Sequence, residues 1–449
     1  MKPQRIVVVG AGHVGLYAAL RLSKKLNTRR AEVMVIDPQP HMTYQPFLPE
    51  AAAGNISPRH SVVPLRRELK RCRIVSGEVI KIEHARKTVT VQPIDGPVKE
   101  IAYDHIVVAP GSVSRTLPIP GLRENGIGFK TIGEAIYLRN HILDRLDIAA
   151  TTPDAEVRKA SLTFVFVGGG YAGIEALAEM EDVVRDALKY YPELSQDEVR
   201  FVLVEATNRI LPEVGAKMGA YAARELAARG IDLRLDTRLE SCVDGEIVLS
   251  DGSRFPAETL VWTAGVKPSP MLDRTDLPRG PRGHVTCLST LQVVDGDTVL
   301  DGAWSAGDCA QVPDLTTPGA YCSPSAQHAV RQAKVLADNV RQVVLGGAPK
   351  EYRHKYAGSV ASLGLYKGVA HVYGIKLKGL PAWLMHRTYH MSRIPSFNRK
   401  VRVLADWSLA FVLRRETVAL GQLHAPREEF THVTPSLLGD REPIGAGSR

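Results

Sequence analysis

"FVFVGGGYAGIE" (Phe164–Glu175) decides the fold. A bulky apolar strand runs straight into three consecutive glycines and then into the start of a helix. The same order occurs earlier, in "RIVVVGAGHVGLYAAL" (Arg5–Leu20). A continuous apolar run suits a strand covered on both faces, as in a parallel sheet. The glycines stand in G-x-G-x-x-G order at Gly10, Gly12 and Gly15, and again at Gly168, Gly170 and Gly173. In that pattern the first glycine makes the tight turn, the second lets the backbone approach a diphosphate, and the third lets helix and strand pack closely.

Each turn has its acid. The strand "EVMVID" ends in Asp37, and "VRFVLVEA" carries Glu205. A carboxylate at that place accepts hydrogen bonds from an adenosine ribose, while the diphosphate rests on the helix N-terminus. Glu205 would repel a 2′-phosphate, which favours NADH over NADPH, although Arg209 stands close by. The predicted fold class is α/β, with two Rossmann-like dinucleotide-binding domains. A flavin nucleotide and a nicotinamide nucleotide are the natural pair for such a chain, because hydride passes readily between them.

Composition agrees. The 449 residues, 44% of them hydrophobic, suit about two to four domains with sizeable cores. No apolar run reaches the ~18 residues needed to cross a membrane. The first strand begins within a few residues of Met1, which predicts no cleavable signal peptide. The five cysteines, Cys72, Cys242, Cys287, Cys309 and Cys322, form no C-x-x-C pair and no zinc spacing, so they are expected as free thiols and no metal site is expected. The net charge of +9 is uneven: Arg331–Arg415 holds 16 Lys or Arg against 3 Asp or Glu. Such asymmetry suits an anionic membrane surface; no nucleic-acid module is present to claim it.

Three strand ends add small residues where a cofactor could approach: Gly111 in "YDHIVVAPGS", Gly265 in "AETLVWTAGVKPSP", and Gly307 with Asp308 in "DGAWSAGDCAQVP". The stretch "SPSAQHAVRQAKVLADNV" predicts a helix capped by Ser323, with Pro324 in its first turn and a buried face of Ala326, Ala329, Val330, Ala333 and Leu336.

With these residues in place, the chain resembles the two-dinucleotide-binding flavoproteins of glutathione-reductase-like fold. That resemblance implies FAD at Gly10, Gly12, Gly15, Asp37, Pro46, Val79, Gly111, Gly307, Asp308 and Ala326, and NADH at Gly168, Gly170, Gly173, Glu205 and Gly265. The disulfide reductases of that superfamily carry C-x-x-x-x-C where this chain has "YQPFLPEAAAGNISP", so no disulfide relays electrons here. Together "YQPFLPEAAAG", "VWTAGVKPSP", "SPSAQHAVRQAK" and "GSVASLGLYKGVA" resemble type II NADH dehydrogenase, roughly from Arg5 to Arg415. This implies a single-subunit enzyme that passes electrons from NADH through FAD to a membrane quinone, menaquinone or ubiquinone, without pumping protons. It also implies acceptor-side roles for Glu175, Gln327 and Arg331. Arg331 departs from the family pattern, which has Gln there. Homodimers occur in that family, and a homodimer is carried as an expectation.

The resulting domain plan is FAD-binding over 1–115 and 284–345, NADH-binding over 116–283, a hairpin and amphipathic helices for membrane attachment over 346–425, and a mobile tail over 426–449. Two apolar stripes carry the attachment: Leu380, Trp383, Leu384, Met391 and Ile394, then Phe397, Val401, Leu404 and Phe411 with Trp407 at the edge. The expected location is peripheral, on the cytoplasmic face of the cell membrane. Two other readings stay open: an NADH-dependent flavoprotein reductase with a protein or small-molecule acceptor, and a slow redox-sensing flavoprotein.

Overall fold

The computed structural model describes residues 3–354 and 357–420; the tail expected over 426–449 lies outside them. The chain builds two sheets. The first has eight strands in the order Gln292–Asp295, Thr298–Ser305, His105–Val108, Gln4–Val9, Ala31–Asp37, Arg73–Glu83, Thr88–Pro93 and Lys99–Ala102. Its central strands are parallel and its edge hairpins antiparallel. The chain leaves this sheet after His105–Val108 and rejoins it at Gln292–Asp295.

Between those points it forms a parallel sheet of five strands, in the order Gly126–Gly128, Thr259–Trp262, Thr163–Val167, Arg200–Val204 and Asp232–Arg234. Strand side chains alternate between faces, and Thr163–Val167 uses both. Phe164 and Phe166 enter a core with Ile174, Leu177, Leu138 and Ile142, from the helices Tyr171–Ala187 and Ile132–Thr151. Val165 and Val167 enter another with Leu239, Ile247 and Leu249, from a small antiparallel sheet on the opposite face. Two passages join the sheets, Ser112–Ser114 and Val266–Pro268, and they pair antiparallel with each other.

The helix Ala326–Val344 packs on His13–Lys25. Asp338 takes a two-pronged bond from Arg21, at 2.8 and 2.6 Å, and a third from Lys25 at 2.8 Å. Its cap is Ser325, whose hydroxyl accepts from the His328 N–H at 3.1 Å, and not Ser323. The cap must reach the backbone N–H three residues on, and Ser323 stands two residues too early. Of the expected buried face, Ala329, Ala333 and Leu336 are buried, Val330 is half-buried and Ala326 is exposed.

Beyond it come an antiparallel three-stranded sheet, Gly358–Ser362, Gly368–Val372 and Ile375–Lys378, and the helices Gly379–Arg393 and Phe397–Leu413. The two apolar stripes part company here. In the first helix Trp383 and the following Ile394 turn inward, leaving Leu380 and Leu384 exposed. Arg387 explains the inward turn: its guanidinium stacks over Trp383 at 4.1 Å and Trp407 at 5.0 Å, so a cation and two indoles pack as one unit. In the second helix Phe397, Val401, Leu404 and Phe411 all face out. Among the described residues no helix is long and apolar enough to cross a membrane.

That second helix is clamped to the loop after Phe47. Asp406 accepts from the Ser57 N–H at 2.9 Å and meets His60 Nδ1 at 2.5 Å, and Trp407 Nε1 donates to Glu50 at 2.6 Å. Asp406→Ala leaves the Ser57 N–H without its acceptor, at a cost of about 1–3 kcal/mol. The expected result is faster proteolysis within Phe397–Leu413, while Phe411→Ala on the open face leaves the cleavage rate unchanged.

Candidate functional site

The two glycine turns are built alike. Gly10 and Gly168 hold φ of +87° and +115°. A Cβ on Gly15 would lie 1.8 Å from the Gly10 carbonyl oxygen, and one on Gly173 would lie 1.9 Å from that of Gly168. Only glycine permits that approach of helix to strand. At Gly12 and Gly170 a Cβ would meet nothing within 4 Å, and both residues stand at helix starts without a side-chain cap. Unbonded N–H groups around open space form an anion cradle, so both turns fit a dinucleotide diphosphate.

The two acids take matching positions. Asp37 accepts from the Ala11 N–H and Glu205 from the Gly169 N–H, each at 2.6 Å. Burial raises the Asp37 carboxyl, and the bonds from Ala11 and Gln39 oppose that shift. Around the first turn, Gly307 N–H donates to the buried Gln332 at 2.8 Å, and Val14 leaves no room for a side chain at Gly307. Asp308 accepts from Ser112 Oγ at 2.8 Å, and Lys130 Nζ donates to the same hydroxyl at 2.8 Å. Gly111 and Gly265 have positive φ, with open space where a Cβ would be. Pro46 is half-buried in the short turn Gln45–Phe47, and Ala326 is the exposed first residue of its helix. Val79 sends its side chain into the core around the eight-stranded sheet at a register shift in its strand, which leaves its backbone for any contact outside.

Three residues expected on the acceptor side sit at the two ends of one strand. Gln327 donates to the Gly358 carbonyl at 3.1 Å, and its own oxygen accepts from the Ala357 N–H at 3.1 Å and meets His354 Nε2 at 3.0 Å. Arg331, one turn further on, donates to the Gln327 carbonyl at 3.1 Å. At the other end of Gly358–Ser362, the Ser362 N–H donates to Glu175 at 3.0 Å. The strand rises about 3.3 Å per residue, which separates its ends by about 13 Å.

Glu175 is buried, just past the first turn of Tyr171–Ala187, and it has company that sequence reasoning missed. His386 Nε2 lies 2.9 Å from its carboxylate, a charge contact rather than an aligned hydrogen bond. Burial alone would push the His386 ring down, but the carboxylates of Glu175 and Glu50 together outweigh it and the ring is raised above the usual histidine value. Glu179, fully buried one turn on, accepts from Asn55 at 3.0 Å and from Ser362 Oγ at 3.4 Å. Burial pushes its carboxyl up to about 7, against the pull of Arg415. Glu50 faces Arg387 at 3.0 Å, with both side chains buried. His390 lies 4.6 Å from His386, ring to ring, and its carbonyl accepts from Tyr44; Tyr44 packs on His13 in the first glycine turn. His13 Nε2 is shut off from solvent without a partner, and burial drives that ring down to about 4. The one legible signal was "IEALAEM", where two acids one turn apart stand in an otherwise apolar helix.

Two measurements test this geometry. Gly170→Ala folds normally and weakens NADH binding, because its methyl occupies the cradle, whereas Gly173→Ala lowers thermal stability by forcing helix from strand; equal melting temperatures would contradict the assignment. Glu179 has a folded-state pKa above its ordinary 4.5. Its ionisation therefore costs stability progressively from about pH 4.5 to 7 and fully above that, up to about 3 kcal/mol. Glu179→Gln should raise the melting temperature at pH 8 and leave it nearly unchanged at pH 4.5.

The profile of the pyridine nucleotide-disulphide oxidoreductase family matches residues 4–333, and the chain belongs to that family. Among curated proteins it is 28% identical over 428 residues to the type II NADH:quinone oxidoreductase of Mycobacterium tuberculosis, covering 92% of this chain and 89% of the relative. It is 28% identical over 394 residues to the type II NADH:quinone oxidoreductase of Staphylococcus aureus, covering 86% and 93%. Its fold is similar to that of NDH2 from Plasmodium falciparum solved with NADH, with TM-score 0.85, 17% identity and coverage of 93% and 100%.

Proposed function

We propose that this flavoprotein oxidises NADH and reduces a membrane quinone without pumping protons. The observation that carries the reading is the pair of open glycine cradles, each with an acid on its ribose side, in a chain similar along nearly its whole length to type II NADH:quinone oxidoreductases. FAD, when bound, accepts hydride from NADH and hands two electrons on. The first turn, with Asp37, Gly111, Gly307, Asp308, Pro46, Ala326 and the backbone at Val79, holds FAD. The second turn, with Glu205 and Gly265, holds NADH. Asp308 and Lys130 share the Ser112 hydroxyl and so fix the Gly307–Asp308 turn against Ser112–Ser114. Glu205, bonded to the second turn, orients the adenosine end and repels a 2′-phosphate. Arg331 is assigned the choice of quinone, since the amide of Gln327 is engaged on both its oxygen and its nitrogen.

The protein attaches to an anionic membrane surface through Phe397–Leu413. Phe397 and Phe411 are 80% and 76% exposed, and Arg399, Lys400, Arg402 and Arg414 stand along or just beyond the same helix. An apolar stripe edged by cations lies in a membrane interface, and each cation near an anionic leaflet adds about 1 kcal/mol. The cytoplasmic face and a homodimer remain part of this proposal.

The test is steady-state NADH oxidation by the FAD-loaded protein with menaquinone and ubiquinone analogues in anionic vesicles. Phe397→Asp with Phe411→Asp should abolish co-sedimentation with vesicles and lower turnover with vesicle-held quinone, while water-soluble quinone is reduced as before. Arg331→Gln should change the ratio of KM values for the two quinones. Turnover with neither quinone would overturn the reading and favour a protein acceptor.

A further inference from the structure

The chain reverses after Phe397–Leu413 at Arg414, whose φ of +66° and ψ of −177° lie where only glycine goes readily. Residues 415–420 then lie as a strap across three other segments. At Gly54 the strap comes so close that a Cβ would stand 2.4 Å from the Glu416 carbonyl oxygen. On Ile132–Thr151, the buried Arg139 donates to the carbonyls of Glu416 and Val418, at 2.6 and 3.3 Å, and Asn140 accepts from the Leu420 N–H at 3.1 Å. On Tyr171–Ala187, the Arg415 guanidinium meets Asp186 at 2.9 Å, with its side chain 3% exposed.

Two costs fall on consecutive residues. Arg414 is strained, and Nη1 and Nη2 of Arg415 are sealed from solvent without a hydrogen-bond partner among the described residues. A buried guanidinium so poorly bonded is costly unless nearby charges offset it. Glu179 and Asp182 supply that offset: burial raises both carboxyls, and the Arg415 cation is among the charges that oppose the rise. Strain of this kind persists only where the surroundings over-determine it. A helix that did no more than lie on a membrane would need neither feature at its end.

The position of the strap gives them a use. Its root is the helix that carries the exposed apolar stripe, and its buried cation grips the helix that starts at the second cradle. Gly54 lies in the chain between two strands of the eight-stranded sheet, whereas both gripped helices pack on the five-stranded one. We propose that the strap braces the two cofactor regions against each other, so that seating on an anionic lipid surface and binding of NADH strengthen each other. This rests on the membrane and NADH readings above. NADH orders Tyr171–Ala187 at its start and the strap orders it toward its end, so whichever ligand comes first leaves less ordering for the second. The coupling is reciprocal by thermodynamic necessity. Arg415 touches neither ligand and is a positioning residue.

The experiment uses the FAD-loaded full chain, quinone-free vesicles of phosphatidylglycerol and phosphatidylcholine, and a tetrahydro analogue of NADH that cannot give up hydride. Co-sedimentation measures vesicle affinity with and without the analogue, and calorimetric titration measures analogue affinity with and without vesicles. In the wild type each should tighten the other by the same factor, about fivefold or more. Amide hydrogen exchange over 415–420 and over Tyr171–Ala187 should slow with either one. Arg415→Leu removes the gripping cation, and Gly54→Ala lifts the strap by its methyl group while every charge stays. In both variants the vesicles and the analogue should still bind, and the factor should fall to one. A factor of one in the wild type, exchange that neither ligand slows, or a factor kept in both variants would overturn the brace. Failure of the wild type to bind vesicles would instead overturn the membrane reading, and failure to bind the analogue the NADH reading, and the brace with either.

Discussion

The carbonyl of Gly168 occupies the place a side chain at Gly173 would need, and Gly10 stands in the same relation to Gly15. This backbone-to-backbone contact sets how close each helix lies to its strand. It also aims each helix start, uncapped, at the open space beside the second glycine. The parallel order of strands around Gln4–Val9 and Thr163–Val167 follows, because a short turn into a helix must be answered by a parallel return. The acids at the ends of the next strands then bond back to the turns, so one constraint, used twice, places both cradles and the acid beside each.

The remainder of the molecule is arranged around what those cradles leave between them. Helix Tyr171–Ala187 starts at the second cradle and carries its acids inward. Gly379–Arg393 brings His386 onto that helix, Arg387 onto Leu48–Ala52 and His390 onto Tyr44. The segment after Phe397–Leu413 folds back as well: Arg139 donates to the Glu416 carbonyl at 2.6 Å, and Arg415 meets Asp186 at 2.9 Å with its guanidinium buried. The helix Phe397–Leu413 is thus bonded near its middle to the segment after Phe47, and just beyond its C-terminal end to the helix that starts at the second cradle. Charged groups make most of these bonds, and a buried charge without its partner is costly, so the C-terminal region is held in one position.

The parts legible in the sequence were those whose information is local. A strand, three glycines and an acid spell a dinucleotide turn within about 40 residues, and both turns, their order and the two-sheet α/β fold follow from them. The C-terminal stripes were legible as amphipathic, but not in direction. Which face of Gly379–Arg393 turns inward is decided by Arg387 meeting Glu50 and two tryptophans, contacts between segments remote in sequence. Gln327 was legible as a helix residue and its bonding to Ala357 and Gly358 was not, for the same reason. Ser323 and Ser325 both suit a cap by residue type; only the reach to His328 separates them. Glu179 is the instructive omission, because an acid at helical spacing inside an apolar run states its own burial.

The central claim is that one chain holds two dinucleotides so that electrons move from NADH to a quinone. An anaerobic titration tests it most directly: the FAD-loaded protein receives NADH one equivalent at a time, then a quinone one equivalent at a time, with the flavin band recorded throughout. The account predicts that one NADH per flavin bleaches the band and one quinone per flavin restores it. A band that NADH bleaches and quinone leaves unchanged would contradict it.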